Sequence, residues 1–76
     1  MSERLEALAR VYEGIAEQLE LAATHARTSA RHFRNEEIPR GFAHAWAAHG
    51  HVSEAQLRLD EQAREHARLS NPDPDA

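Results

Sequence analysis

Seventy-six residues allow one domain with a single modest core. The absence of cysteine excludes disulfides and thiolate metal sites, leaving helix packing, histidine ligands or association as sources of stability. The net charge of −4 argues against non-specific binding of nucleic acid.

Ser2 reads as an N-cap, with Glu3 and Glu6 in the first turn where the helix dipole favours negative charge. From there Leu5, Leu8, Tyr12, Ile15, Leu19, Ala22, Ala26, Ser29 and Phe33 recur at alternating steps of three and four. That is the pattern of a helix seam, and it predicts a first helix over 2–34. Ala9, Ala16, Ala23 and Ala30 widen the stripe on one side.

Asn35-Glu36-Glu37-Ile38-Pro39 predicts a break, because proline disfavours helix before itself and suits the first turn of a new one. A second helix over 39–49 would bury Ile38, Phe42, Ala45, Trp46 and His49, with Trp46 as a core anchor beside Phe42. Gly50 then serves as a C-terminal stop. Ser53 and Gln56 form a capping box for a third helix over 53–70, and Val52 staples onto Leu57. This third helix would bury Ala55, Leu59, Ala63 and His66, with Glu54–Arg58 and Asp60–Arg64 pairs on its surface. Residues 71–76 read as a frayed tail. The alternative is one helix running straight through Gly50, at a cost of about 1 kcal/mol relative to alanine.

The expected architecture is therefore an all-α, three-helix antiparallel domain over 1–70, with a two-helix hairpin as the alternative. A first helix of about 33 residues spans roughly 50 Å, and the two shorter ones roughly 16 and 27 Å. Folded back in sequence, they would cover the second half of the first helix and leave Leu5, Leu8, Tyr12, Ile15 and Leu19 exposed. Those five residues are the candidate interface, and dimerisation into a helical bundle is the expected outcome of either architecture.

The stretch Ser29–Ala55 resembles a small archaeal three-helix family of unknown function. Ala30, Phe33, Glu36, Phe42, Trp46, Ala48, Gly50, Val52, Glu54 and Ala55 fall on that family's pattern. Ser29 stands in place of that family's aspartate and Gly41 in place of its alanine, and Glu36 matches only the acidic part of its glycine-aspartate turn. The Ala-Trp…Gly…Glu-Ala phrase is also similar to one turn of a tetratricopeptide repeat. The resemblance implies a break at Gly50 and supplies no activity.

Charge is unevenly distributed. Residues 1–20 balance to −3, residues 21–50 to +2 and residues 51–76 to −3. The basic middle holds His25, His32, His44 and His49. Together with His51 these histidines are candidate ligands for a divalent transition metal, aided by Glu36 or Glu37. Against this, no His-x-x-x-His or Glu-x-x-His pair occurs. The competing reading places His25, His32, His44 and His51 at the surface or flank, and part-buries His49 and His66.

Arg27, Arg31, Arg34 and Arg40 form a stripe suited to anions, or a solvated face helping to satisfy the end of the first helix. Arg27 and His32 have the spacing of the Arg…His motif in helical nucleotide-binding ribonucleases, which keeps a small ribonuclease-like enzyme as a third reading. Ser29, Ser53 and Ser70 lack the glycine frame of a nucleophile. With no apolar run of membrane-spanning length and no secretory pattern, the expected location is cytoplasmic. The expected role is a non-enzymatic interaction or assembly module without a cofactor, partnered by itself or another helical protein. A histidine-rich metal- or anion-binding protein is the alternative.

Overall fold

The computed structural model describes residues 2–73 and Asp75. It contains two helices, α1 (Glu3–Arg34) and α2 (Ile38–Leu69), each of 32 residues. The three-helix expectation is overturned, and the hairpin is what forms. The frayed tail expected over 71–76 lies partly outside the described residues. Among those described, no helix is long and apolar enough to cross a membrane.

Local chemistry sets the ends of α1. Ser2 is extended (φ −70°, ψ 154°), and its Oγ accepts the Leu5 N–H at 3.1 Å. At the other end, the Asn35 N–H is shared between the Arg31 and His32 carbonyls. The Glu36 N–H donates to Phe33 O and the Glu37 N–H to His32 O, at 3.0 and 2.9 Å. Closing this turn places Glu36 at φ 58°, in the left-handed region that non-glycine residues rarely adopt. Pro39 then sits in the first turn of α2, where its missing N–H costs no helical bond. Arg40 donates to the Glu37 carboxylate at 2.8 Å. That hydrogen bond holds the Glu37 carboxyl below its ordinary range, and the nearby His32 ring adds a weaker pull.

The break expected at Gly50 does not occur. Gly50 is helical, its φ is not positive, and beyond its own stretch of helix backbone nothing lies within 4 Å of where its Cβ would stand. The conformational penalty of a mid-helix glycine is offset by packing on both sides of it, since His44, Ala48, His51 and Ala55 continue one row across the position. Ser53 is an interior helical residue, and Gln56 donates to Asp60 at 2.8 Å instead of closing a capping box. Glu54–Arg58 forms as expected at 2.9 Å. Gly50→Ala should raise stability by about 1 kcal/mol in chemical denaturation. A helix ending there in a left-handed glycine would respond with a loss instead.

Because α2 matches α1 in length, it covers both halves of α1. The contacts Ser29–Gly41, His25–His44 and Gln18–His51 fix an antiparallel register. The buried residues are small except for one: Ile15, Ala22 and Ser29 on α1, Gly41 and Ala55 on α2. Short side chains let two helix axes approach closely. Near the turn, Ser29 Oγ donates to Gly41 O at 2.7 Å, and the Phe33 ring lies over Gly41 so tightly that a Cβ would stand 2.6 Å from it.

The seam is rotated from its expected position. On α1 it runs Leu8, Val11, Ile15, Gln18, Ala22, His25, Ser29 and His32, all buried or half-buried. The row Leu8, Ile15, Ala22, Ser29 is shared with the sequence reading, whereas the row Leu5, Tyr12, Leu19, Ala26, Phe33 is left outside. One partner helix covers only part of so wide a stripe. The side chosen pairs polar groups with each other across the contact and leaves Leu5, Tyr12 and Leu19 exposed, while Phe33 lies over Gly41 at the edge of the seam.

Candidate functional site

Two features stand out on this hairpin: a histidine ladder inside the seam and an apolar face beside it. In the ladder, His32, His44, His25 and His51 alternate between the helices. Their ring centroids are 5.3, 5.2 and 5.5 Å apart and their planes within 29° of parallel. His25 Nδ1 and His44 Nδ1 share a hydrogen bond at 3.0 Å, so one nitrogen carries a proton and the other accepts it. At the end of the row, His51 Nδ1 donates to Gln18 Oε1 at 2.8 Å, because an amide oxygen only accepts. His32 Nδ1 is buried without a hydrogen-bond partner and lies 3.5 Å from Glu37 Oε2.

This arrangement inverts the expected roles of the histidines. His25, His32, His44 and His51 are half-buried between the helices, and His49 and His66 are exposed. Their spacing signals it once the seam is known: His25 and His32 are seven apart on α1, as are His44 and His51 on α2. Among the candidate metal ligands, His49 stands apart, its ring edge-on to Trp46 at 5.9 Å. Among the described residues, no group of three or more histidines or carboxylates is placed to hold a metal ion. Arg27, Arg31, Arg34 and Arg40 are all exposed, and Arg40 is engaged by Glu37. Arg27 points away from the seam that holds His32, so the two do not form a joint site.

The second feature is larger. On α1 the row excluded from the seam exposes Leu5, Tyr12, Leu19 and Phe33. On α2 a flanking row exposes Phe42, Val52 and Leu59, with Trp46 beside it. The two rows belong to one face of the hairpin. Phe33 and Phe42 meet edge-to-face at 5.1 Å, and Tyr12 lines the same cleft as His66 and Leu69. The opposite face carries a different cleft, lined by Arg10, Val11, Gly14, Arg58, Glu61 and Gln62. An apolar groove between Phe42, Ala45, Trp46 and His49 completes the apolar face towards the turn.

Several residues expected in the core belong to this face. Ile38, Phe42 and Trp46 are 57, 54 and 72% exposed, so Trp46 is not a core anchor. Leu59, Ala63 and His66 are likewise exposed, and of the residues assigned to the third helix's core only Ala55 is buried. Of the five expected interface residues, Leu5, Tyr12 and Leu19 are exposed, whereas Ile15 is buried and Leu8 half-buried against α2. The uncovered surface thus follows the whole length of the hairpin. It is not confined to the first half of α1.

Compared with family models, curated protein sequences and solved structures, the chain matches none of them.

Proposed function

We propose that this chain is a non-enzymatic interaction module that works as a homodimer. Two hairpins close their apolar faces on each other into a four-helix bundle. The observation that carries this reading is the continuous row of large exposed apolar side chains, from Leu5, Tyr12 and Leu19 to Phe33, Phe42 and Trp46. Each such side chain contributes about 1.5–3 kcal/mol when removed from water. Among the described residues, by contrast, no large side chain is fully buried inside the hairpin, and the buried apolar residues are Ile15, Ala22 and Ala55.

Surface area supports the same reading. A compact monomer of 8.6 kDa would expose roughly 4,700 Å² by the scaling of folded proteins, whereas this chain exposes 6090 Å². The excess, about 1,400 Å², exceeds the roughly 800 Å² per partner of a standard stable interface. Hairpins of equal helix length close into bundles with short loops, and the 35–37 turn is of that kind.

The histidine-rich metal reading and the anion reading of the arginine stripe draw no comparable support from the geometry. Sedimentation equilibrium of the unmodified chain at micromolar concentration tests the proposal: a dimer is expected, and a folded monomer would oppose it.

A further inference from the structure

We infer that the two copies pack antiparallel, the turn of each hairpin lying against the open end of the other. This rests on the homodimer reading above and adds to it an orientation, which the charge distribution along the hairpin selects.

The Gln18–His51 contact divides the molecule into two halves that coincide with the charge blocks of the sequence. The turn half, residues 21–50, carries Arg27, Arg31, Arg34 and Arg40 against Glu36 and Glu37, a balance of +2. The open half, formed by residues 1–20 and 51–76, balances to −6. All four turn-half arginines are exposed, as are Glu3, Glu13, Glu17 and Glu20 on α1 and Glu61 and Glu65 on α2. Most of these side chains are therefore at the surface, where they set the field that a second copy meets. A parallel dimer would lay the acidic ends side by side and the basic ends side by side. An antiparallel dimer lays each basic turn half along an acidic open half, and complementary fields of this kind select between docking geometries.

Side-chain size points the same way by a separate route. The turn half of the apolar face exposes Phe33, Ile38, Phe42 and Trp46, three of them aromatic, and the open half exposes Leu5, Tyr12, Leu19, Val52 and Leu59, of which only Tyr12 is aromatic. In a parallel dimer the three turn-half aromatics and Ile38 would meet their own copies. Antiparallel packing sets the aromatic-rich half against the mainly aliphatic one, which spreads side-chain bulk more evenly along a close-packed interface.

The chain has no cysteine, so Glu36→Cys introduces a unique spin-label site at the tip of the hairpin, on an exposed residue off the apolar face. The substitution removes a negative charge from the turn half and so preserves the charge contrast. Pulsed electron–electron dipolar spectroscopy on the labelled full chain then reads the distance between the two tips. With helices of 32 residues, the antiparallel dimer predicts about 50 Å. A distance below about 25 Å, the width of a four-helix bundle, would overturn the orientation while leaving the dimer standing. No intermolecular dipolar signal at concentrations where the chain is folded would overturn the dimer itself.

Discussion

Leu19→Asp combined with Phe42→Asp is expected to convert the dimer to a monomer and to reduce its helicity. Leu19 is 45% and Phe42 54% exposed on the isolated hairpin and both lie outside the buried seam, Phe42 meeting the Phe33 ring at its edge. In the proposed dimer both are covered. Each substitution then removes about 1.5–3 kcal/mol of apolar burial, and each carboxylate left without a partner in the interface adds a further penalty. The sum is large against the 5–15 kcal/mol of total stability typical of a domain.

The control is sharp. Leu21 is 44% exposed but belongs to neither apolar row, so Leu21→Asp should leave a dimer in sedimentation and near-unchanged circular dichroism. An equal effect from Leu21→Asp would mean that exposure of leucine in general matters, and that the face does not.

The second large effect is expected inside the hairpin. Ala55 is 1% exposed, and the register set by Ser29–Gly41 and Gln18–His51 puts it opposite Ile15. Ala55→Leu inserts three heavy atoms at a nearly fully buried position of the seam, and overpacking of this kind costs about 1–3 kcal/mol. Forcing the helices apart there also stretches the His51–Gln18 hydrogen bond one turn away. A lowered midpoint in urea, with loss of the slowed exchange of the helical amides around Ala55, is the expected readout. Unchanged or increased stability would show that the seam has room at this level and that close approach of small residues is not what holds the hairpin.

These two sites illustrate how far the sequence could be read. The extent of α1 was legible because Ser2, the acidic first turn and the Asn35–Pro39 break are local chemistry, decided within a few residues. The row Leu8, Ile15, Ala22, Ser29 was legible because it lies inside the apolar stripe under any choice of partner. Which neighbouring row joins it was not. The stripe offered Leu5, Tyr12, Leu19 and Phe33 on one side, and Val11, Gln18, His25 and His32 on the other. Hydrophobicity favours the first, but the pair forms through the second, because Gln18 finds His51 and His25 finds His44 across the gap.

Such pairing depends on which α2 residues arrive opposite, information that neither helix carries alone. The same non-local effect explains Gly50. Its local signals, a glycine followed by a serine and a glutamine at capping distance, all favour an end, and they are outweighed by the row His44, Ala48, His51, Ala55 that needs both sides of Gly50 in one helix. Trp46 was misplaced for a related reason. An aromatic beside Phe42 is ordinarily a core residue, and on a two-helix hairpin the space it would fill lies outside the chain.

The distinction between the seam and the face also separates the two candidate sites. The ladder of His25, His32, His44 and His51 lies between α1 and α2, with His25, His44 and His51 hydrogen-bonded across it. The apolar face is left over after the hairpin is complete, and it is the part of the molecule with unsatisfied apolar surface. A chain of 76 residues without disulfides has few other routes to stability, and coupling folding to association is the one that this surface offers.

The most direct measurement is therefore sedimentation equilibrium of the unmodified, tag-free chain over a range of micromolar concentrations, with circular dichroism on the same samples. A helical species of twice the chain mass that dissociates and loses helicity on dilution is the predicted result. A fully helical species of single-chain mass at every concentration would contradict it.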